Sequence, residues 1–476
     1  MKCIFQFWSC SPHLEASLEI AMNEVTSGNE VAYYWGGDDV LFADNNGQGR
    51  LGSNFKSQKP IYKAIRLLKQ KIGNQICFRT SWVNYADVPN LELSFQSLED
   101  VLNFEYDNFE VGRAAISSLS QLFLTDLTKH DIRQFVPMLE EVIFSGIGVY
   151  ISALKILEEQ SADQVYLFNG RFIHESAVYA AADKLGVKAS FHERGSTLNK
   201  YALTDYLAHD LAAIYQNAQE VWERELTKSN EVVREAKSYM DNRIYSAKGA
   251  VAGAWKNFTQ CFDRDMSIEQ LRSEVGICTD EYIVFFQTSD DEFAAVSQSV
   301  KVATEWNMQE QIVSFIAETL KENTSLVVRM HPHMNDKNRA NLKSWLDLKH
   351  ALERKSSQIK FVWSDSNINS YLLAVGSEKV ICCGSTIGAE AIYLGKQTIC
   401  CGAADWSQVE GATQVLCYDE LLFALQNECN VNPESVLPIA YRRSTFGEDY
   451  KYFRSTGLYS GEFLGVDLFN GQSYLP

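Results

Sequence analysis

The chain has 476 residues, 46% of them hydrophobic and 12% aromatic, enough to bury a large core and too many for one ordinary domain. Its formal net charge of -18 excludes the dominant basic face that general nucleic-acid binding requires, so no nucleic-acid partner is expected. With only 8 prolines and 27 glycines, fibrous and broadly disordered architectures are excluded as well.

The N-terminal stretch "MKCIFQFWSCSPHLE" turns polar too early for a secretory segment. No run of about 18 apolar residues reads as a membrane span, and a cytoplasmic protein is expected. The first elements follow in "KCIFQFWSCSPHLEASLEIAMNEVTSGNEVAYYWGGDD" as strand, loop, helix, glycine, strand and loop. Next, "KSQKPIYKAIRLLKQKIG", residues 56–73, holds six basic residues and no acidic one. Ile61, Ile65, Leu68 and Ile72 recur there at helical spacing behind Pro60. Such a helix either rests on anionic lipid through Lys63, Arg66 and Lys69 or packs on its own domain. The strand–helix–strand grammar returns in "DQVYLFNGRFIHESAVYAAADKLGVKASFHERGS", with Gly186 placed to stop the helix. A charged, helical and then glycine-spaced stretch, residues 225–263, reads as a bridge.

Beyond the bridge, "EYIVFFQTSDDEF" and "SLVVRMHPHMND" each run an apolar strand into a polar loop, with the helix "MQEQIVSFIAETLKEN" between them. "KVICCGSTIGAEAIYLGKQTICCG" repeats the unit, its helix ending near Gly395. Its Cys382-Cys383 and Cys400-Cys401 are vicinal pairs rather than Cys-x-x-Cys knuckles, and strand alternation sends neighbouring thiols to opposite faces. With 11 scattered cysteines, reduced buried thiols are expected rather than a metal site. The fold class read from these elements is α/β, two Rossmann-like doubly wound domains facing a cleft. The expected division is a domain over 1–265 with a helical linker, a second over 266–430, and a helical tail over 431–476 that crosses back.

Ligands of doubly wound sheets bind past the strand C-termini. Those positions hold Thr288, Ser289, Asp290 and Asp291, then His331, Pro332 and His333, then Gly384, Ser385 and Thr386. Gly384-Ser385-Thr386 precedes a helix whose free N–H groups attract a phosphate, although Ser or Thr there is also an ordinary N-cap. Glu390, one turn further, is placed to accept from ribose hydroxyls or to be a solvated helix residue. Alternation puts Arg329 and His331 on one side, a cation and an imidazole for a second phosphate.

The Arg-x-His-Pro turn, the Gly-Ser-Thr-x-x-x-x-Glu-Ala-x-x-x-Gly-Lys helix and the Thr-Ser-x-Asp-Glu-Phe loop resemble bacterial capsule and lipopolysaccharide glycosyltransferases of the GT-B class. The resemblance is clearest over residues 280–402. It implies a nucleotide-sugar donor in the C-terminal domain and a glycan or lipid-linked acceptor in the N-terminal one. It further implies donor phosphates near Arg329 and His331, phosphate contacts at Ser385 and Thr386, ribose at Glu390, no metal and no cofactor. No Asp-x-Asp follows a strand; Asp38-Asp39 and Asp290-Asp291 are adjacent pairs. Asp291 and Glu292 receive no role.

Glycosyl transfer needs a group that takes the acceptor hydroxyl's proton. Candidates past the N-domain strands are His13 and Glu15, Arg171, His174 and Glu175, and Glu193 and Arg194. Glu193 is the first choice as catalytic base, with Glu175 and His13 behind it and Arg171 and Arg194 on the acceptor side; in a retaining reaction a carboxylate serves instead as nucleophile. Glu193 and Arg194 also fit a structural charged pair. A site at the inner face of the cytoplasmic membrane, reached through residues 56–73, would suit a lipid-linked acceptor. A nucleotide-sugar epimerase and a non-catalytic assembly scaffold are the alternatives on the same fold.

Overall fold

The computed structural model describes residues 1–37, 40, 42–43, 50–51, 59–123, 125–246, 261–289, 294–335 and 342–471. It divides into two compact units, Met1–Asp210 with Asp291–Ser299 and Phe446–Pro476, and Leu211–Asp290 with Val300–Thr445.

The first unit runs β1 (Lys2–Gln6), α1 (His13–Thr26), β2 (Val31–Trp35), a short antiparallel pair β3 (Phe42–Ala43) and β4 (Arg50–Leu51), α2 (Lys59–Ile72) and β5 (Ile76–Arg79). It continues with α3 (Leu98–Leu102), α4 (Val111–Phe123), α5 (Val136–Glu159), β6 (Gln164–Phe168), α6 (Ile173–Lys184), β7 (Lys188–Arg194) and β8 (Lys200–Thr204). Late in the chain β15 (Glu448–Asp449), β16 (Phe453–Gly457) and β17 (Ser460–Phe463) complete it. The sheet order is β15-β8-β7-β6-β1-β2-β5, with β5, β2, β1, β6 and β7 parallel and the two edge additions antiparallel. The chain therefore builds outward from β1 on one side and resumes with β6 on the other, which makes β1/β6 a topological switch point.

The second unit runs α7 (Leu211–Leu226), α8 (Glu231–Tyr245), α9 (Ile268–Val275), β9 (Glu281–Phe286), α10 (Gln309–Thr319), β10 (Thr324–Arg329), α11 (Leu342–Lys355) and β11 (Ile359–Val362). Then come α12 (Ser370–Gly376), β12 (Val380–Cys382), α13 (Ile387–Tyr393), β13 (Thr398–Cys401), β14 (Ala412–Val415), α14 (Tyr418–Gln426) and α15 (Leu437–Thr445). All strands of its sheet are parallel, in the order β11-β10-β9-β12-β13-β14, with the switch point at β9/β12. Both sheets are doubly wound, as the strand–helix grammar predicts.

Strand alternation splits each core between two sheet faces. In the first unit Cys3, Phe5, Ala32 and Tyr34 pack under α4, α5 and α6, whereas Ile4, Val31, Tyr33 and Trp35 pack with α1 and α2 on the reverse. In the second, Cys382 and Cys400 join the cluster with α8, α12, α13 and α15, while Cys401 and Cys383 join the opposite one with α10 and α11. The vicinal thiols thus separate across the sheet, and burial pushes those of Cys382 and Cys400 well above the usual thiol range.

Three expectations need correction. The first unit gives way to the second at 210/211, so 265/266 lies inside the second unit, because α7 and α8 pack on α15. The tail is not helical throughout: α15 belongs to the second unit, and from Phe446 the chain is β-structure of the first. Glu19 anchors that part, its buried carboxylate accepting from the backbone N–H groups of Lys451, Tyr452 and Phe453 at 2.7, 2.9 and 3.1 Å. Finally, α5 is long and apolar enough to cross a membrane by length and composition. Its Leu139, Val142, Ile143, Ile147, Val149, Tyr150 and Ala153 are nevertheless fully buried in the core, against α4 and α6.

The apolar side of α2 packs into its own unit through Ile61, Ala64 and Leu68, leaving Arg66, Lys69 and Lys71 exposed. Lys63 is tied to the Asp467 carbonyl and to Asn470 Oδ1 at 2.5 and 2.9 Å. Asp38, Asp39, Asp290, Asp291, Glu292 and the glycine-spaced bridge after 246 lie outside the described residues, as does the His333 side chain.

Candidate functional site

In the second unit, three loops leave neighbouring strands β10, β9 and β12 at their carboxyl ends. After β9 the Thr288 peptide is clamped: its N–H donates to Gln309 Oε1 at 2.9 Å, and its carbonyl accepts from Gln309 Nε2 at 2.9 Å and Gln287 Nε2 at 2.8 Å. The hydroxyl of Thr288 is buried and has no hydrogen-bond partner among the described residues. Ser289 is buried beside it. After β10 the backbone N–H of His331 donates to Gln287 Oε1 at 3.0 Å, fixing the His-Pro turn to the β9 loop.

Arg329 departs from its expected aim. Its guanidinium donates to the carbonyls of Trp363 and Ser366 at 2.5 and 3.2 Å and approaches Ser370 Oγ at 3.4 Å. It binds β10 to the loop after β11, and burial holds its pKa below the ordinary arginine value.

After β12, Gly384 turns with φ +97°, where a side chain would press on the Ala403 carbonyl. The Ser385 carbonyl accepts from Trp406 Nε1 at 3.1 Å, and a Cβ on Gly388 would fall 2.1 Å from the Trp406 ring. Thr386 occupies the N-cap position of α13, yet its side chain makes no capping hydrogen bond. Its Oγ1 lies 3.4 Å from Arg243 Nη2 instead.

Glu390 is neither solvated nor open. Its Oε1 accepts from Arg243 Nε at 2.5 Å, and its side chain is only 3% exposed. The Tyr371 hydroxyl lies 3.0 Å from Glu390 Oε2 and 3.2 Å from the Arg243 carbonyl, so one proton serves two acceptors. The Glu390 charge pushes the Arg243 pKa up, and burial pushes that of Tyr371 up. A second ion pair, Arg443 with Asp405 at 2.7 Å, stands nearby.

In the first unit the loops after β1 and β6 meet at the switch point. Asn169 follows β6 at φ +55°, a left-handed conformation that asparagine tolerates. Its Nδ2 donates to Glu193 Oε1 at 2.5 Å, whereas its buried Oδ1 has no partner among the described residues. Burial raises the Glu193 pKa. Glu193 and Arg194 are the last two residues of β7 rather than loop residues; their side chains form no ion pair, and only the Arg194 backbone N–H donates to Glu193 Oε2, at 3.4 Å. Arg194 donates to the Leu458 carbonyl at 3.0 Å and lies over the Tyr459 ring at 4.8 Å.

His13 packs on Phe168 with ring centroids 4.2 Å apart, and burial, then Arg194 and His192, hold its pKa well below the usual range. Glu15 is fully buried, neither carboxylate oxygen has a hydrogen-bond partner of normal geometry, and burial pushes its pKa up to about 8. Glu15 is therefore mostly protonated at neutral pH and cannot act there as a ready base. His192 is also fully buried, with neither ring nitrogen hydrogen-bonded and a pKa of about 3.

Glu175 and His174 are buried on α6, where His174 Nε2 contacts Ser145 Oγ at 3.1 Å. Arg171 is turned to α4, donating to Ser117 Oγ at 2.5 Å. Of the N-domain candidates, Glu193 stands beside Asn169 at the switch point, whereas Arg171 and His174 serve contacts to α4 and α5. Sequence reasoning missed Arg243, Tyr371 and Asn169. Arg243 lies 147 residues from Glu390, beyond any local spacing rule. Among the described residues no three His, Cys, Asp or Glu side chains gather as a metal site.

Residues 204–448, just over half of the chain, match the family model described as capsule polysaccharide biosynthesis protein. No curated protein matches. Similar solved structures include KpsC of Thermosulfurimonas dismutans, a beta Kdo 2,4 transferase, 11% identical over 59% of this chain and 79% of that one, TM-score 0.34. Another is a Methanocaldococcus jannaschii UDP-GlcNAc 2-epimerase in complex with UDP-GlcNAc and UDP, 14% identical over 63% of this chain and 80% of that one, TM-score 0.30. With scores this low, the assignment rests on the family model. Because that match takes in every element from α7 to α15 and with them the whole β9/β12 switch point, the chain belongs to the capsule polysaccharide biosynthesis protein family.

Proposed function

We propose that the chain is a metal-independent glycosyltransferase of GT-B type in surface polysaccharide assembly. The second unit takes the nucleotide-sugar at the β9/β12 switch point, and the first takes a glycan or lipid-linked acceptor at β1/β6. The observation that carries the reading is that each switch point holds buried polar groups without partners among the described residues. Thr288 Oγ1 stands at one switch point, and Asn169 Oδ1 with the Glu15 carboxyl stands at the other. Such groups each cost about 1–3 kcal/mol until a ligand or water meets them.

Glu193 is the acceptor base in this scheme. Its raised pKa brings it toward the working pH, and Asn169 orients it. The acceptor oxygen forms its bond to the anomeric carbon and gives its proton to Glu193, while the bond from that carbon to the phosphate oxygen breaks and the nucleotide leaves with the electron pair. His331, Ser385 and Thr386 border the leaving phosphates. The exposed Arg66, Lys69 and Lys71 of α2 fit an anionic membrane surface, which would place the enzyme at the inner face of the cytoplasmic membrane.

The test is thermal stabilisation by CMP, UDP, GDP, dTDP and CDP, with and without EDTA. One nucleotide is expected to stabilise the wild type, by about 2.7 kcal/mol at a hundredfold excess over Kd, with EDTA present. The same nucleotide should stabilise a His331→Ala variant less. A wild type that no nucleotide stabilises would refute the donor site, and a shift abolished by EDTA would refute metal independence.

A further inference from the structure

Resting on the nucleotide-sugar reading, we infer that Arg243 is the cation that meets the donor phosphates, and that Glu390 and Tyr371 are positioning residues that hold it there. The sequence nominates Arg329 for the phosphates and Glu390 for the ribose, and the geometry removes both from those roles. The Arg329 guanidinium is spent on two backbone carbonyls and Ser370 Oγ. Glu390 has each oxygen engaged and its side chain is 3% exposed, out of reach of a ribose hydroxyl.

Arg243 offers what these two lack. A guanidinium carries five N–H donors in a planar fork. Nε is bound to Glu390 and Nη2 reaches Thr386 Oγ1, the hydroxyl that leaves α13 uncapped and sits in the loop after β12. Nη1 makes no hydrogen bond to the described residues, and the side chain keeps 13% of its surface open to solvent. A fork pinned on one edge by a carboxylate, with its other edge bordering a switch-point hydroxyl, is preorganised for bidentate contact with a phosphate. Its rotamer is fixed before the ligand arrives, so little side-chain entropy remains to be lost on binding. A Lys in its place would keep the charge and lose the fork.

Isothermal titration calorimetry with CMP, UDP, GDP, dTDP and CDP, each beside its parent nucleoside, tests this. The quantity is the nucleotide-to-nucleoside affinity ratio, which isolates the phosphate contribution and which a loss of fold would not move selectively. For the nucleotide that binds, Arg243→Gln is expected to lower the ratio about tenfold to a hundredfold, with nucleoside affinity little changed. Glu390→Gln should lower it less, because the fork loosens but stays, and Arg243→Lys should restore part of it. Since Arg243→Gln leaves Glu390 buried without its partner, the double variant Arg243→Met, Glu390→Leu removes both charges together and should show the same loss. A wild-type ratio in Arg243→Gln or in the double variant, with the wild type binding its nucleotide, would overturn the role of Arg243 while leaving the donor site standing. A wild type that binds none of the nucleotides would overturn both.

Discussion

Glu15→Gln changes one buried proton and little else. In the folded chain Glu15 is fully buried, and burial, outweighing the nearby Ser11 hydroxyl and the Arg194 charge, pushes its pKa to about 8 from an ordinary 4.5. Because the folded pKa is raised, folding favours the protonated acid. Its contribution is intact below pH 4.5, falls as pH rises, and is lost by pH 8. Across that window the unfolded chain holds fewer protons than the folded one, so stability declines by up to 1.36 kcal/mol per pH unit from this group. The cost at pH 7 is roughly 3 kcal/mol by the same linkage. Gln is neutral at every pH and close in shape, so the variant should be the more stable protein above pH 5, its advantage growing to about 3–4 kcal/mol by pH 8. Urea unfolding of both proteins at pH 5, 6, 7 and 8, followed by tryptophan fluorescence, measures the difference. Parallel pH profiles would refute the reasoning, since they would mean that Glu15 is already ionised and solvated in the native chain.

Two further outcomes follow from particular contacts. In Gly388→Ala the new methyl meets the Trp406 ring at 2.1–2.6 Å, and that ring is fully buried and held by its bond to the Ser385 carbonyl. The substitution should cost about 1–3 kcal/mol in urea unfolding and weaken nucleotide binding through the displaced 384–386 loop; unchanged affinity would separate that loop from the site. On α2, replacing the exposed Arg66, Lys69 and Lys71 by Glu should lower partitioning onto vesicles with anionic lipid about a hundredfold or more, at roughly 1 kcal/mol per basic residue. Vesicle sedimentation with equal binding by wild type and variant would remove the membrane contact.

The doubly wound sheets were legible because parallel strands buried on both faces read as apolar runs, and their helices announce their ends. Gly186 and Gly395, expected as helix stops, take φ +66° and +80° just past α6 and α13. The split of Cys382 from Cys383 across the sheet follows from alternation alone. What alternation cannot supply is the far end of a long side chain. Arg329 sits on the expected strand end, yet the carbonyls that capture it belong to a loop more than thirty positions on. Glu390 sits one turn into the expected helix, but its partner Arg243 comes from a helix that sequence reads only as a charged linker. Glu193 and Arg194 look like an ion pair because they are adjacent; as consecutive residues of β7 they point to opposite sides.

The same distinction bears on where this chain tolerates unfavourable burial. Most of its buried backbone and side-chain groups are satisfied by elements that any doubly wound domain would supply. Buried groups without partners among the described residues occur at the two switch points and elsewhere in the core, Arg113 Nε on α4 and Trp345 Nε1 on α11 among them. The Asn169 peptide is in a left-handed conformation with its Nδ2 already committed, and the Thr288 peptide is clamped on both sides by Gln309. The Asn169 amide cannot turn its Oδ1 elsewhere without breaking its bond to Glu193, whereas the Thr288 hydroxyl rotates about its own Cα–Cβ bond with the peptide held in place. A ligand that satisfied either group would recover about 1–3 kcal/mol there, a gain unavailable to a surface site where water does the same.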